Sequence, residues 1–184
     1  MVLASGSGTL AQAIFDACGE DFIVTAVITD RPTALVVERA LQAGVAVHVL
    51  PLSDYSSRAD WDDALARLLT DLTPDLIVSA GFMRLIGPAV LARFEGNIIN
   101  THPSLLPQFP GAHAVADALA AGASMTGATV HLVDHGMDTG AVLAQTSVDI
   151  AADDTEETLH ERIKQVERRL IVDVIGKRRE GALA

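Results

Sequence analysis

Short runs rich in β-branched residues alternate with longer stretches of helical periodicity along most of this chain. The strand-like runs lie at residues 2–4, 22–28, 45–50, 76–80 and 98–100. The stretches with helical spacing lie at residues 9–18, 33–43, 57–71 and 88–94. Strand, helix and strand in repetition predict parallel βαβ units with right-handed crossovers. We therefore expect an α/β fold built on an open, mostly parallel twisted sheet.

The last two strand patterns differ from the earlier ones because no helical stretch separates them. Residues 126–133 and 142–150 alternate well enough to be strands, which predicts an antiparallel pair at one side of the sheet. One long C-terminal helix is expected over residues 155–178. No linker, low-complexity tract or internal repeat interrupts the pattern. The sequence therefore predicts a single domain over residues 1–184.

The charge balance is acidic, with 13 Lys and Arg against 24 Asp and Glu and a net charge of −11. This balance disfavours nucleic acid and anionic membranes as partners. No apolar run approaches the ~18 residues of a membrane span, and no signal peptide is recognisable. Cys18 is the single cysteine, which excludes an intrachain disulfide and favours a reducing, cytoplasmic location. We expect its thiol to be buried.

A glycine-rich loop, Ser5 to Thr9, follows the first strand pattern and precedes the first helix pattern. Glycines allow the backbone to approach an anion, and a helix N-terminus offers free N–H groups. A dinucleotide fingerprint is also compatible, because Ala11 is an allowed variant and Asp30 could bind a ribose. A phosphate site, a dinucleotide site and a plain tight turn therefore remain open, with the phosphate site favoured.

Two polar residues stand where the apolar run at 98–100 ends. Strand alternation places the side chains of Asn100 and His102 on the same side. An amide and an imidazolium are suitable donors for a developing oxyanion, and three prolines in the predicted loop at 101–111 would hold them stiffly. The alternative is that His102 caps a helix or satisfies loop carbonyls.

A third polar segment, residues 133–140, links the two late strand patterns. Its acids and glycines are compatible with ordinary turn chemistry. If Asp138 lies beside His102, it would favour the charged imidazolium and could accept a proton. The sequence leaves both readings open.

The other histidines are weaker candidates for a functional site. His113 begins a helix pattern near the Asn/His segment and is a modest ligand candidate, and His131 alternates with Thr129 on a strand pattern. His48 and His160 are expected to be structural or exposed to solvent. No His-x-His pair is present, and the one His-x-x-x-His spacing, His131 with His135, runs from a strand pattern into a turn rather than along a helix. We therefore expect no metal.

Residues 100–107, followed by Phe-Pro-Gly at 109–111, resemble the signature of folate-dependent formyltransferases. The Phe-Pro-Gly ending is similar to that of the phosphoribosylglycinamide formyltransferase branch. The opening loop at 5–9 and the segments at 81–86 and 138–140 resemble the same family. The likeness extends from residue 2 to about residue 176.

This resemblance implies a Rossmann-like formyltransferase fold and transfer of the formyl group of 10-formyltetrahydrofolate, the cosubstrate, to the amine of glycinamide ribonucleotide in purine synthesis. It implies that Asn100 and protonated His102 stabilise an oxyanion, and that Asp138 supports His102 and helps to move a proton. The implied ribonucleotide contacts are Gly8, Thr9, Leu10 and Glu167. The implied folate contacts are Arg58, Met83, Arg84, Leu85, Ile86 and Asn100.

Both implied substrates are anionic, so an acidic protein must capture them through local donors such as loop amides, Arg58 and Arg84. The expected partners are these small molecules, with a homodimer left open. A formyltetrahydrofolate hydrolase is disfavoured because the sequence begins at its first strand. A methionyl-tRNA formyltransferase is disfavoured by residues 109–111, the acidic charge and the end at Ala184. A non-catalytic nucleotide-binding module, using only the loop at 5–9, is the third alternative.

Overall fold

One mixed sheet forms the centre of residues 1–179, the part of the chain that the computed structural model describes. Its strands are β1 (Val2–Leu3), β2 (Ala26–Thr29), β3 (Ala46–Val49), β4 (Ile77–Ser79), β5 (Ile98–His102), β6 (Met125–Leu132) and β7 (Val142–Asp149). The helices are α1 (Thr9–Asp16), α2 (Leu35–Gln42), α3 (Arg58–Leu72), α4 (Pro88–Phe94), α5 (Ala114–Ala120) and α6 (Glu156–Arg179), and a short 3₁₀ turn covers Leu52–Asp54.

The spatial order of the strands is β3-β2-β1-β4-β5-β6-β7. Strands β1 to β5 are parallel, β6 runs antiparallel to β5, and β7 runs antiparallel to β6. The predicted α/β fold is therefore confirmed, with its mostly parallel sheet, late antiparallel pair and long C-terminal helix.

Helices cover both faces of the sheet and form two apolar layers. One layer packs α1, α2, α5 and α6 against side chains such as Val27 and Ile99. The other packs α3 and α4 against side chains such as Ile28 and Ile98. Burial on both faces explains why the central strands read as continuous apolar runs.

The strand order of the sheet reverses between β1 and β4. Strands β2 and β3 lie on one side of β1, and β4 to β7 lie on the other. The loops after β1 and β4 meet at this point. The Ser5 N–H donates to the Gly81 carbonyl at 3.2 Å, and the Met83 N–H donates to Ser5 Oγ at 3.0 Å. Such a switch point, at the carboxyl ends of the strands, is the usual ligand-binding crevice of an α/β sheet.

Three local expectations need correction. The strand predicted from residue 22 begins at Ala26, because its neighbours β1 and β3 provide pairing partners only from there. Thr101 and His102 belong to β5 rather than to a loop, since β6 pairs with both of them. The thiol of Cys18 is exposed rather than buried, because it lies just beyond the end of α1.

No helix within residues 1–179 combines the length and the apolar character that crossing a membrane requires.

The Trp61 side chain anchors the layer formed by α3 and α4. It is fully buried, its Nε1 donates to the Leu50 carbonyl at 2.9 Å, and its ring stacks on Phe82 at a centroid distance of 6.1 Å. Replacing it leaves both a cavity and a carbonyl without its donor.

We predict that Trp61→Ala lowers the free energy of unfolding by about 3–5 kcal/mol, measured by urea denaturation. Leu41→Ala is the control, because this α2 side chain is 64% exposed and its loss should change the same quantity by less than about 0.5 kcal/mol. A loss no larger than that of the control would show that Trp61 does not support this layer.

Candidate active site

The pairing of β5 with β6 brings the site together. Asn100 lies opposite His131, and His102 lies opposite Thr129. Alternation along the two strands places all four side chains on the sheet face that α3 and α4 cover. Two residues of β6, Thr129 and His131, therefore lie beside Asn100 and His102, although they follow much later in the sequence.

The His102 imidazole is buried and has partners at both ring nitrogens. Its Nε2 lies 2.8 Å from the Phe109 carbonyl oxygen, and its Nδ1 lies 3.4 Å from Asp138 Oδ2. Because a carbonyl can only accept, Nε2 carries a hydrogen and donates it. His102 therefore satisfies a loop carbonyl, as the structural alternative predicts. It also faces an acid, as the catalytic alternative requires.

Asp138 is held by three groups around its carboxylate. Its Oδ2 accepts from the Gly111 N–H at 2.8 Å, and its Oδ1 lies 3.6 Å from His131 Nε2. The His131 imidazole contributes most to lowering the pKa of Asp138 below its ordinary value, and the Gly111 N–H and His102 add to this against the opposing effect of burial. The carboxylate is therefore ionised at neutral pH.

His131 is a member of this group that sequence reasoning did not single out. It is buried, its Nδ1 donates to the Leu132 carbonyl at 2.8 Å, and its Nε2 lies 3.3 Å from Asn100 Nδ2. His131 thus contacts both Asn100 and Asp138. The signal was its alternation with Thr129, but only the β5–β6 register shows that this strand lies beside Asn100.

The loop after β5 is fixed by side chains of the late strand pair. Thr129 Oγ1 donates to the Ser104 carbonyl at 2.6 Å and accepts from the Leu106 N–H and Gln145 Nε2 at 3.1 and 2.9 Å. The hydroxyl therefore uses its full hydrogen-bonding capacity, with two bonds to this loop and one to Gln145 of β7. A Cβ at Gly127 would lie 2.2 Å from the Thr146 carbonyl oxygen and 2.8 Å from Leu105, so the loop packs against bare backbone.

The glycine-rich loop presents the N-terminus of α1. Gly8 has φ +70°, and a Cβ there would lie 2.7 Å from the Val36 side chain, so glycine is required on both counts. No side chain caps α1. The N–H groups of its first turn, which includes Thr9 and Leu10, have no acceptor within the helix and can receive an anion.

Glu167 lies on the opposite face of the sheet from His102. It is buried on α6 and hydrogen-bonds with Thr101, whose side chain alternates with those of Asn100 and His102. Burial raises the pKa of Glu167 to about 7, and its partner Thr101 and the nearby charges of Lys164 and Arg168 only partly oppose this shift.

Residues 83–86 follow β4 in the chain and carry exposed apolar side chains. Met83 and Leu85 are 65% and 64% exposed, and Ile86 is half-buried. The Arg58 guanidinium donates to the Leu85 carbonyl and lies 4.8 Å from the centroid of the Trp61 ring. The segment therefore offers apolar surface on a backbone that α3 supports.

Arg84 and Asp30 form an ion pair that the sequence did not predict. Arg84 Nε lies 2.7 Å from Asp30 Oδ2 in an ion pair. The Asp30 side chain is fully buried and one of its oxygens pairs with a cation, which argues against the dinucleotide reading. Arg58 and Arg84, which we expect as local donors to the anionic substrates, both have protein partners in the structure.

No contact with this group is seen for His113 or His48 among residues 1–179. His113 is exposed at the start of α5, and His48 lies on the edge strand β3. Within residues 1–179, no group of three or more His, Cys, Asp or Glu side chains has the arrangement of a metal site. That the chain uses no metal stays a prediction.

Comparison with known proteins identifies the same family. The family model described as formyl transferase matches residues 1–175. The phosphoribosylglycinamide formyltransferase of Mycobacterium tuberculosis H37Rv is 52% identical over 178 residues, covering 96% of this chain and 82% of the relative. The enzyme of that name from Escherichia coli K12 is 39% identical over 186 residues, covering 100% and 88%.

Solved structures agree with these sequence relatives. Glycinamide ribonucleotide transformylase 1 from Symbiobacterium toebii is similar with a TM-score of 0.94 and 43% identity, covering 98% of this chain and 86% of that one. The protein of the same name from Geobacillus kaustophilus has a TM-score of 0.91 and 48% identity, with coverage of 95% and 94%. The chain therefore belongs to the formyl transferase family, in its phosphoribosylglycinamide formyltransferase branch.

Proposed function

We propose that this protein transfers the formyl group of 10-formyltetrahydrofolate to the amine of glycinamide ribonucleotide, a step of purine synthesis. The observation that carries the proposal is the buried His102–Asp138 pair, 3.4 Å apart, on the same sheet face as Asn100. A buried imidazole beside an ionised carboxylate, with an amide donor two residues away, suits the stabilisation of a tetrahedral oxyanion.

The reaction makes one carbon–nitrogen bond and breaks another. The ribonucleotide amine adds to the formyl carbon, and the formyl oxygen becomes an oxyanion that Asn100 and protonated His102 stabilise. The bond between the formyl carbon and the folate nitrogen then breaks. Asp138 supports His102 and helps the proton of the attacking amine to reach the departing nitrogen.

The two sets of proposed substrate contacts belong to different layers of the fold. The ribonucleotide contacts are Gly8, Thr9, Leu10 and Glu167, from the layer of α1 and α6. The folate contacts are Arg58, Met83, Arg84, Leu85, Ile86 and Asn100, from the side of α3 and α4. Strand β5 ends between them, which is where a group passing from one substrate to the other has to lie.

Each contact set suits its substrate chemically. The uncapped N-terminus of α1 suits a phosphate, because N–H groups and the helix dipole both favour an anion. The exposed side chains of Met83 and Leu85 suit the flat, largely apolar rings of a folate.

The proposal includes the remaining expectations from the sequence. The enzyme works in the cytoplasm as one domain over residues 1–184, on two small molecules and without metal, nucleic acid or membrane. A homodimer is compatible with it.

The proposed reaction is tested by following folate deformylation spectroscopically with and without glycinamide ribonucleotide. We expect turnover that requires the ribonucleotide. Equal turnover without it would mean that water is the acceptor, and the ribonucleotide contacts would then be wrong. Absence of turnover in both cases would favour the binding-module alternative.

We predict that His102→Ala reduces kcat about a hundredfold or more, because the oxyanion loses the imidazole that stabilises it. The fold should persist, as judged by circular dichroism. His135→Ala is the matched control, since this exposed histidine lies in the same loop as Asp138. Wild-type turnover in the His102 variant would remove this residue from the mechanism.

Asp138→Asn should be comparably damaging to kcat. Asparagine tolerates the φ of +56° at this position and can still accept from the Gly111 N–H, so the change removes mainly the charge. Asp134→Asn is the control, because Asp134 serves the turn by accepting from the Gly136 N–H and Thr139 Oγ1. Unchanged activity in the Asp138 variant would reduce this residue to turn chemistry.

Glu167 provides a pH test of the buried ribonucleotide side. Its pKa in the folded protein, about 7, lies above the ordinary 4.5, so the folded chain keeps a proton that the unfolded chain loses between these values. Stability should therefore fall as pH rises from 4.5 to 7 and level off above.

We predict that Glu167→Gln gains on the order of 3 kcal/mol in unfolding free energy, relative to wild type, between pH 4 and pH 8. Urea denaturation at several pH values measures this difference. Glu157→Gln, an exposed position on the same helix, is the control. A difference independent of pH would show that Glu167 is not held in a proton-retaining environment.

A further inference from the structure

A second polar cluster lies at the carboxyl ends of β2 and β3. A cavity of about 490 Å³ opens there between the loops at 30–33 and 51–54, and Arg84 forms part of its wall. This is the same edge of the sheet as the proposed active site, on the side of the switch point away from β5. The cavity is large enough for an amino-acid-sized group.

The Asp30–Arg84 ion pair joins a buried acid to a partly exposed base. The Asp30 side chain is fully buried, whereas the Arg84 side chain is 32% exposed. Burial alone would raise the pKa of Asp30, but the Ser5 hydroxyl and the Arg84 guanidinium hold it below its ordinary value. Asp30 is therefore a fixed anion, and it holds Arg84 at one defined atom, Nε, at 2.7 Å.

This mode of attachment leaves the far end of the guanidinium available. Within residues 1–179 the Nη groups of Arg84 have no hydrogen-bond acceptor, although the residue lines the cavity. A planar guanidinium presents its N–H groups as a fixed fork, so an anchor at Nε fixes the direction of the Nη hydrogens as well. Two parallel N–H donors match a carboxylate.

We propose that Asp30 is a positioning residue that aims Arg84 at the acidic tail of the folate cosubstrate. This inference rests on the proposed function, which supplies a substrate with a glutamyl carboxylate. Asp30 neutralises much of the Arg84 charge, so recognition depends on the direction of the fork rather than on net positive charge.

The test uses Asp30→Asn with two formyl donors, 10-formyltetrahydrofolate and the corresponding pteroate analogue that lacks the glutamate. Asparagine keeps the volume but not the charge that anchors Nε. We expect KM for the folate to rise about tenfold, with kcat and the KM for the pteroate analogue unchanged. Asp54→Asn is the matched control, because Asp54 lines the same cavity and is exposed.

Three results would overturn the inference. They are an unchanged KM for the folate, an equal rise in KM for both donors, and a fall in kcat. Asp30→Ser is the second variant if Asp30→Asn does not fold, and failure of both to fold would show that the acid is structural. Ribonucleotide-dependent turnover of the wild type tests the proposed reaction separately, so a negative result in the variants alone rejects only the role of Asp30.

Discussion

The antiparallel pairing of β5 with β6 is the constraint on which the site depends. This pairing sets Asn100 opposite His131 and His102 opposite Thr129, and a shift by one residue would turn these side chains to the other face. It also places Thr129 where its hydroxyl can fix the loop after β5, which supplies the Phe109 carbonyl to His102. The register therefore decides both the position and the partners of the proposed catalytic imidazole.

The charge state of each acid in this region is set by the groups that surround it. Asp138 stays ionised because the imidazoles and a backbone N–H face it, whereas Glu167 on the opposite face is pushed towards its neutral form because burial dominates there. Asp30 has a third role, because its buried carboxylate pairs with Arg84 and sets the direction of the guanidinium. Three acids at one edge of the sheet thus have different roles because their surroundings differ.

The fold was predictable from the sequence to a large extent, and the site in part. Alternating strand and helix patterns predicted the parallel sheet, and the absence of a helix between the late strands predicted their antiparallel pairing. Period-2 alternation correctly paired Asn100 with His102 on one face. No local pattern encodes strand register, however, so the sequence leaves the approach of Asp138 to His102 open and gives no reason to place His131 in the site. The Asp30–Arg84 pair joins residues 54 positions apart and left no local signal either. Cys18 was misjudged because an apolar helical pattern does not show where the helix ends.

The central claim is that Asp138 acts through His102, as one unit held by β5 and β6. A double-mutant cycle tests this most directly, by measuring kcat for His102→Ala, for Asp138→Asn and for the two together. The account predicts that the double variant is slowed far less than the product of the two single effects, because Asp138 acts mainly by supporting an imidazole that is already gone. A double variant slowed by the product of the two single effects would contradict it, since the two residues would then act independently.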